Sequence, residues 1–153
     1  MAAERDLIFM KLALEQAEEA AAIGEVPIGA VVVRGNEVVS VAHNLRETEK
    51  NALFHAELLA IDRACKKLGG WRLHECELYV TLEPCPMCAG AMINARIKRV
   101  VYGAEDPKAG CCGTLLDLFD CGFNHRPAVE RGVLQEESAK LLRAFFKKLR
   151  NRS

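Results

Sequence analysis

Three residues of this 153-residue chain stand in a spacing that suits a metal: His55 in His55-Ala56-Glu57, and Cys85 and Cys88 in Pro84-Cys85-Pro86-Met87-Cys88. One histidine and two cysteines hold a zinc ion through three protein bonds and leave the fourth position to water. Catalytic zinc keeps that position open, whereas structural zinc usually closes all four. A water bound in this way has its pKa brought to roughly 7 and supplies hydroxide at neutral pH. Glu57 places a carboxylate two residues from the histidine, where it takes the water's proton and passes it on. A carrier of protons is not itself a ligand. The pattern predicts a hydrolytic centre with His55, Cys85 and Cys88 as ligands, Glu57 as its acid–base and Zn2+ as cofactor.

Positioning these groups makes demands on the backbone. With Pro86 as the first helical residue, Cys85 falls at the N-cap and Cys88 at the third helical position. Both sulfurs then approach a helix N-terminus, whose unpaired N–H groups and positive dipole end favour thiolates. Two residues of regular helix rotate a side chain by about 200°. His55 and Glu57 therefore converge only if His55 lies at or before the first turn of its helix.

The surrounding elements are predicted from periodicity and breakers. Leu7, Met10, Leu14 and Ala17 recur at helical steps over 6–23, and Gly24 and Pro27 end that pattern. The β-branched runs 28–33 and 38–42, joined by Arg34-Gly35-Asn36-Glu37, read as a hairpin. A polar loop, 44–51, leads to a helix over 55–68 with Leu58, Ile61, Cys65 and Leu68 on its inner face. Gly69-Gly70 stops it. A strand over 77–82 ends before Pro84, a helix runs from Pro86 to about Ala95, and 98–102 forms another strand. A glycine-containing loop, 103–113, precedes a short helix from about Thr114, a strand around Val129 and a final amphipathic helix over 135–150. Strands alternating with helices imply a three-layer α/β/α domain with a mixed central sheet, one domain spanning 1–153.

Half of the residues are hydrophobic, 27% are charged and the formal net charge is zero, so global charge does not advertise nucleic acid. No apolar run reaches the length of a membrane span and the first residues lack a positive leader, so a cytoplasmic protein without membrane association is expected. The seven cysteines (65, 76, 85, 88, 111, 112 and 121) are odd in number and irregularly spaced, which favours free thiols over disulfides. Lys140, Arg143, Lys147, Lys148, Arg150 and Arg152 make the last segment basic. Cations opposing a helix dipole and a phosphate-contacting patch both account for it.

His55-x-Glu57 with Pro84-Cys85-x-x-Cys88 resembles the zinc-dependent cytidine deaminase superfamily. Over nearly the whole chain the resemblance narrows to bacterial tRNA-specific adenosine deaminases. It is carried by Glu25 to Val31, Leu78 to Cys85, Cys88 to Ile93, Gly103-Ala104-Glu105-Asp106-Pro107-Lys108-Ala109-Gly110 and Phe123-Asn124-His125-Arg126. It implies a cytidine-deaminase-like fold and hydrolytic conversion of adenosine to inosine at the wobble position of a tRNA anticodon. It further implies that Asn44 hydrogen-bonds the flipped base and that Asp106, Lys108, Asn124 and Arg126 contact anticodon-loop nucleotides. A homodimer with one zinc per subunit, bound to an anticodon stem-loop, is expected. The chain departs from the family in one place: Asn51-Ala52-Leu53-Phe54 stands where Asp-Pro-Thr-Ala is common ahead of the metal histidine.

Two alternatives differ in chemistry. A guanine or cytosine deaminase of the same superfamily acts on free bases or nucleosides and needs no RNA contacts. A non-catalytic zinc-stabilised binding module needs a fourth ligand, from Cys76, Cys111 or Cys112.

Overall fold

Along the chain run α1 (Glu4–Ala22), β1 (Gly29–Arg34), β2 (Glu37–His43), α2 (Ala56–Leu68), β3 (Cys76–Leu82), α3 (Pro86–Asn94), β4 (Arg99–Ala104), β5 (Ala128–Glu130) and α4 (Gln135–Arg150). These elements belong to a computed structural model that describes residues 2–152. The hairpin forms as its turn residues require, and the strands join one mixed sheet in the order β2-β1-β3-β4-β5. β1 is antiparallel to β2 and β3, while β3, β4 and β5 are parallel. Parallel neighbours need a crossover, which α3 supplies between β3 and β4.

Successive strand residues point to opposite faces, and both faces here are covered. Leu78, Val80, Val100 and Tyr102 pack with Ala30 and Val32 beneath α2 and α3. Tyr79 and Val101 pack with Val31 and Val33 beneath α1. The inner strands are apolar without alternation because neither side meets water. On the α1 side, α4 comes so close to β4 that a side chain at Gly103 would strike Ser138. The three-layer α/β/α expectation holds.

Two local details differ from the expectation. The innermost residues of α2 are Ala56, Ala60, Ile61 and Ala64, with Leu58, Cys65 and Leu68 only partly buried at its flanks. Small side chains bring the helix axis closer to the sheet than leucines would. Gly69, at φ 74°, caps its end in the left-handed conformation. The helix predicted from Thr114 is replaced by a single 3-10 turn, Leu118–Asp120. Thr114 donates both its N–H and its hydroxyl to Glu83, and that tertiary tie commits the segment to a loop.

α1 is locked to the sheet by a polar cluster inside an otherwise apolar layer. Asp6 accepts from the Tyr79 hydroxyl at 2.7 Å and from both terminal nitrogens of Arg99 at 2.9 and 2.6 Å. Arg99 also donates to Glu77 at 2.8 Å. The Arg99 guanidinium holds the Asp6 carboxyl below the usual carboxylate range, against the opposing effect of burial. A depressed folded-state pKa gives stability that is present above the unfolded value, about 3.9, and lost as pH falls through the folded one. Asp6→Asn should therefore cost about 3 kcal/mol of unfolding free energy at pH 7. In urea titrations the gap from the native sequence should close on acidification below about pH 4. A gap independent of pH would assign the loss to packing instead.

Candidate active site

The sheet topology brings distant segments to one end. β3 and β4 run parallel, so their C-termini, leading to Glu83-Pro84-Cys85 and to the 105–114 loop, emerge side by side. β1 runs opposite to β3 and β2 opposite to β1, so the start of β1 and the end of β2 lie at that same edge. Ligand sites of open α/β sheets collect outside the carboxyl ends of the strands for this reason. A cleft of about 1140 Å3 lies there, with His55, Glu57 and Cys85 in its wall.

His55 is the N-cap of α2, with extended φ −73° and ψ 152°. It lies outside the helical rotation, which resolves the two-residue step to Glu57. Cys85 is the N-cap of α3 with Pro86 at the first helical position, as the proline predicts. His55 Nδ1 lies 3.6 Å from Cys85 Sγ and 3.6 Å from Cys88 Sγ. The three donor atoms all fall within 4.8 Å of one another.

Tetrahedral bonding with Zn–S about 2.3 Å and Zn–N about 2.1 Å sets sulfur and nitrogen about 3.6 Å apart. The donor set and its spacing fit zinc. Among the described residues no fourth His, Cys, Asp or Glu joins the group, so the closed shell required by a purely structural module is not formed.

Electrostatics prepares the donors for a cation. The Cys85 thiol is pulled down to about 4, first by the hydrogen bond from Cys88 and then by His55, against the cost of burial. Cys88 is shifted up because it donates that bond and is buried. A bound cation would take the place of the hydrogen bond between the two sulfurs. His55 is raised by its hydrogen bond to Cys85. Glu57, 4% exposed, is pushed up to about 7 by burial. That brings a carboxyl into the range where it accepts and releases protons at neutral pH.

The predicted substrate residues divide. Asn44 lines the cleft and is buried. Its Oδ1 accepts from Arg46 N at 3.2 Å and its Nδ2 donates to Val26 O at 3.4 Å. Asp106 and Lys108 also line the cleft. Asp106 Oδ1 accepts from the amides of Lys108 at 2.9 Å and Ala109 at 3.3 Å, so the side chain also caps its own loop. Asn124 and Arg126 are not in the wall of this cleft; Arg126 pairs with Asp120 at 2.8 Å and faces a smaller depression. Where the family commonly has Asp-Pro-Thr-Ala, Asn51 accepts from Phe54 N and, through Oδ1, from Leu53 N at 2.9 Å. These two bonds shape the turn that leads into His55.

Sequence patterns did not reveal the roles of two buried carboxylates, Glu25 and Glu83, the second of which lines the cleft. Glu25, fully buried, accepts from the amides of Glu47 at 3.2 Å and Thr48 at 2.5 Å and holds the loop after Asn44. Glu83, 2% exposed, gathers donors from the 106–114 loop. Both lie in segments that carry the family resemblance, Glu25 to Val31 and Leu78 to Cys85, but nothing in those segments assigned them a role. The basic last segment had two accounts, a dipole-opposing face and a phosphate-contacting patch; Lys140, Arg143, Phe146, Lys147 and Arg150 of α4 contribute to the wall.

Residues 4–150 match the MafB19-like deaminase family. The tRNA-specific adenosine deaminase of Bacillus subtilis (strain 168) is 54% identical over 149 residues, covering 97% of this chain and 92% of that protein. Among solved structures, one from work on A-to-I editing by tRNA:A34 deaminases at the wobble position of transfer RNA superimposes with a TM-score of 0.85. It is 43% identical and covers 88% of this chain and 99% of that one. A guanine deaminase from Nitrosomonas europaea superimposes with a TM-score of 0.74 at 26% identity, covering 95% and 85%.

Proposed function

We propose a reaction for a chain that belongs to the tRNA-specific adenosine deaminases, within the MafB19-like deaminase family: hydrolytic conversion of adenosine to inosine at the wobble position of a tRNA anticodon. The observation that carries it is the three-donor His55–Cys85–Cys88 group with the buried Glu57 beside it. The 54% identity over nearly the whole chain supports the substrate. Residues 1–153 form one deaminase domain, which acts in the cytoplasm as a homodimer with one zinc per subunit. Among the described residues no helix is long and apolar enough to cross a membrane.

His55, Cys85 and Cys88 would hold the zinc, which would supply an acidified water for addition to the adenine ring. Glu57 takes one proton from that water and delivers it to the ring nitrogen as the oxygen bonds to C6. It then takes the second proton from that oxygen and passes it to the amino group, so that the C6–N bond breaks and ammonia leaves. Its burial keeps the carboxyl near neutrality, so both directions of transfer are accessible. Asn44, held at both ends of its amide by the backbone, presents a preset edge to the base. Asp106 and Lys108 meet the nucleotides beside it, and Asn124 and Arg126 reach RNA beyond the cleft. The cleft exceeds the several hundred Å3 of an ordinary small-molecule pocket, and four α4 cations stand in its wall. Both features support a substrate with phosphates attached to the base.

Incubation of the purified protein with an anticodon stem-loop bearing adenosine at the wobble position, beside free guanine and cytosine, tests the assignment. Inosine should accumulate in the RNA while both free bases persist. The likeness to a guanine deaminase gives the contrary outcome its meaning: guanine consumed with no inosine formed would place the chain in the free-base branch.

A further inference from the structure

We propose that Glu83 is a positioning residue whose buried carboxylate clamps the 106–114 segment to the ligand-bearing segment, and that this clamp sets the substrate affinity of the cleft. The inference rests on the deamination reading above and concerns the wall of that same site. Glu83 Oε1 accepts from Asp106 N at 3.1 Å and from the Thr114 hydroxyl. Its Oε2 accepts from Cys112 N at 2.9 Å and Thr114 N at 3.1 Å. Each oxygen takes two bonds, which meets the cost of holding a carboxylate away from water.

Three of the four donors are backbone amides, drawn from both ends of a nine-residue segment. A single side chain therefore fixes the path of the loop. A second tie runs from Cys111 N to the Pro84 carbonyl at 2.9 Å. Packing leaves no slack between them: a Cβ at Gly110 would stand 2.5 Å from the Glu83 carboxyl and 2.5 Å from the Asp106 carbonyl. Glycine is the residue that admits this approach. Asp106, Pro107, Lys108 and Ala109 carry the cleft wall at the near end of the segment. Glu83 and Cys85 are separated only by Pro84, so the wall and the metal ligand are referenced to one short, stiff stretch of chain. Glutamine at 83 would turn an N–H2 donor toward groups that are themselves donors and leave half of the bonds unmade.

The test compares the native sequence with Glu83→Gln and with Thr114→Val, which removes one hydroxyl donor and leaves the carboxylate. Zinc content, amide hydrogen exchange over 105–114 and stem-loop deamination kinetics are measured on each. Glu83→Gln should keep its full zinc, lose exchange protection at Asp106, Cys112 and Thr114, and raise KM roughly thirtyfold with kcat within about threefold of native. Thr114→Val should raise KM roughly fivefold. Loss of zinc, or a fall in kcat with KM unchanged, would overturn the proposal by moving the effect of Glu83 to the metal centre. If Glu83→Gln does not fold, Thr114→Val decides alone, and an unaltered KM there overturns the clamp. A native protein that makes no inosine from the stem-loop sinks the substrate assignment, while exchange protection still judges the clamp.

Discussion

Glu57→Gln is expected to lower the deamination rate by about a thousandfold or more while zinc stays bound at one per chain. The substitution preserves shape and hydrogen-bonding reach but removes the ability to carry a proton. Glu57 lies in the first turn of α2, almost entirely buried, with its carboxyl pushed up to about 7 by that burial. A residue outside the donor group should leave the metal undisturbed when replaced, so the two readouts separate. Rate measured under single-turnover conditions, beside metal analysis of the same preparation, is the check. Retained activity would remove Glu57 from proton transfer, and loss of zinc would make it a ligand.

Cys85→Ser should be equally severe by a different route. Serine is a favoured N-cap, so α3 should keep its start and the fold should survive. What disappears is a sulfur held as thiolate at about 4 by Cys88 and His55, 3.6 Å from His55 Nδ1. Soft thiolate donors are what such a site offers to zinc. After dialysis the variant should hold less than about a tenth of the native zinc, and its activity should fall in the same proportion. Thermal unfolding of native protein, stripped and reloaded, supplies a second measure: reloading should restore stability in the native chain and not in the variant. Full zinc retention in Cys85→Ser would show that the three-donor group is not the holder.

The asymmetry between what was legible and what was not has a simple basis. Pro84, Pro86 and the two-residue interval between the cysteines predict a helix start with both sulfurs at its N-terminus, and Cys85 is that N-cap. The requirement that His55 precede its helix followed from rotation per residue alone, and its extended backbone meets it. The hairpin turn and the strand at Val129 were equally local. Thr114 was misread because its helical neighbourhood is overruled by a contact from 31 positions earlier in the chain. The leucine face of α2 was overestimated because alanines allow the closer approach to the sheet.

Residue type and spacing determined the donors, the proton carrier and the geometry within each short segment, since these depend on helix starts and prolines spanning two or three residues. Tertiary structure alone decided that His55 and the cysteines, 30 and 33 positions apart, meet at 3.6 Å. It also decided that Glu83 gathers its donors from the 106–114 loop, that α4 joins the cleft, and that Asn124 and Arg126 lie outside it. Those relations follow from strand order and direction. Parallel β3 and β4 discharge their loops at one edge, and the contacts that select that order join residues far apart in sequence, which local preference does not encode.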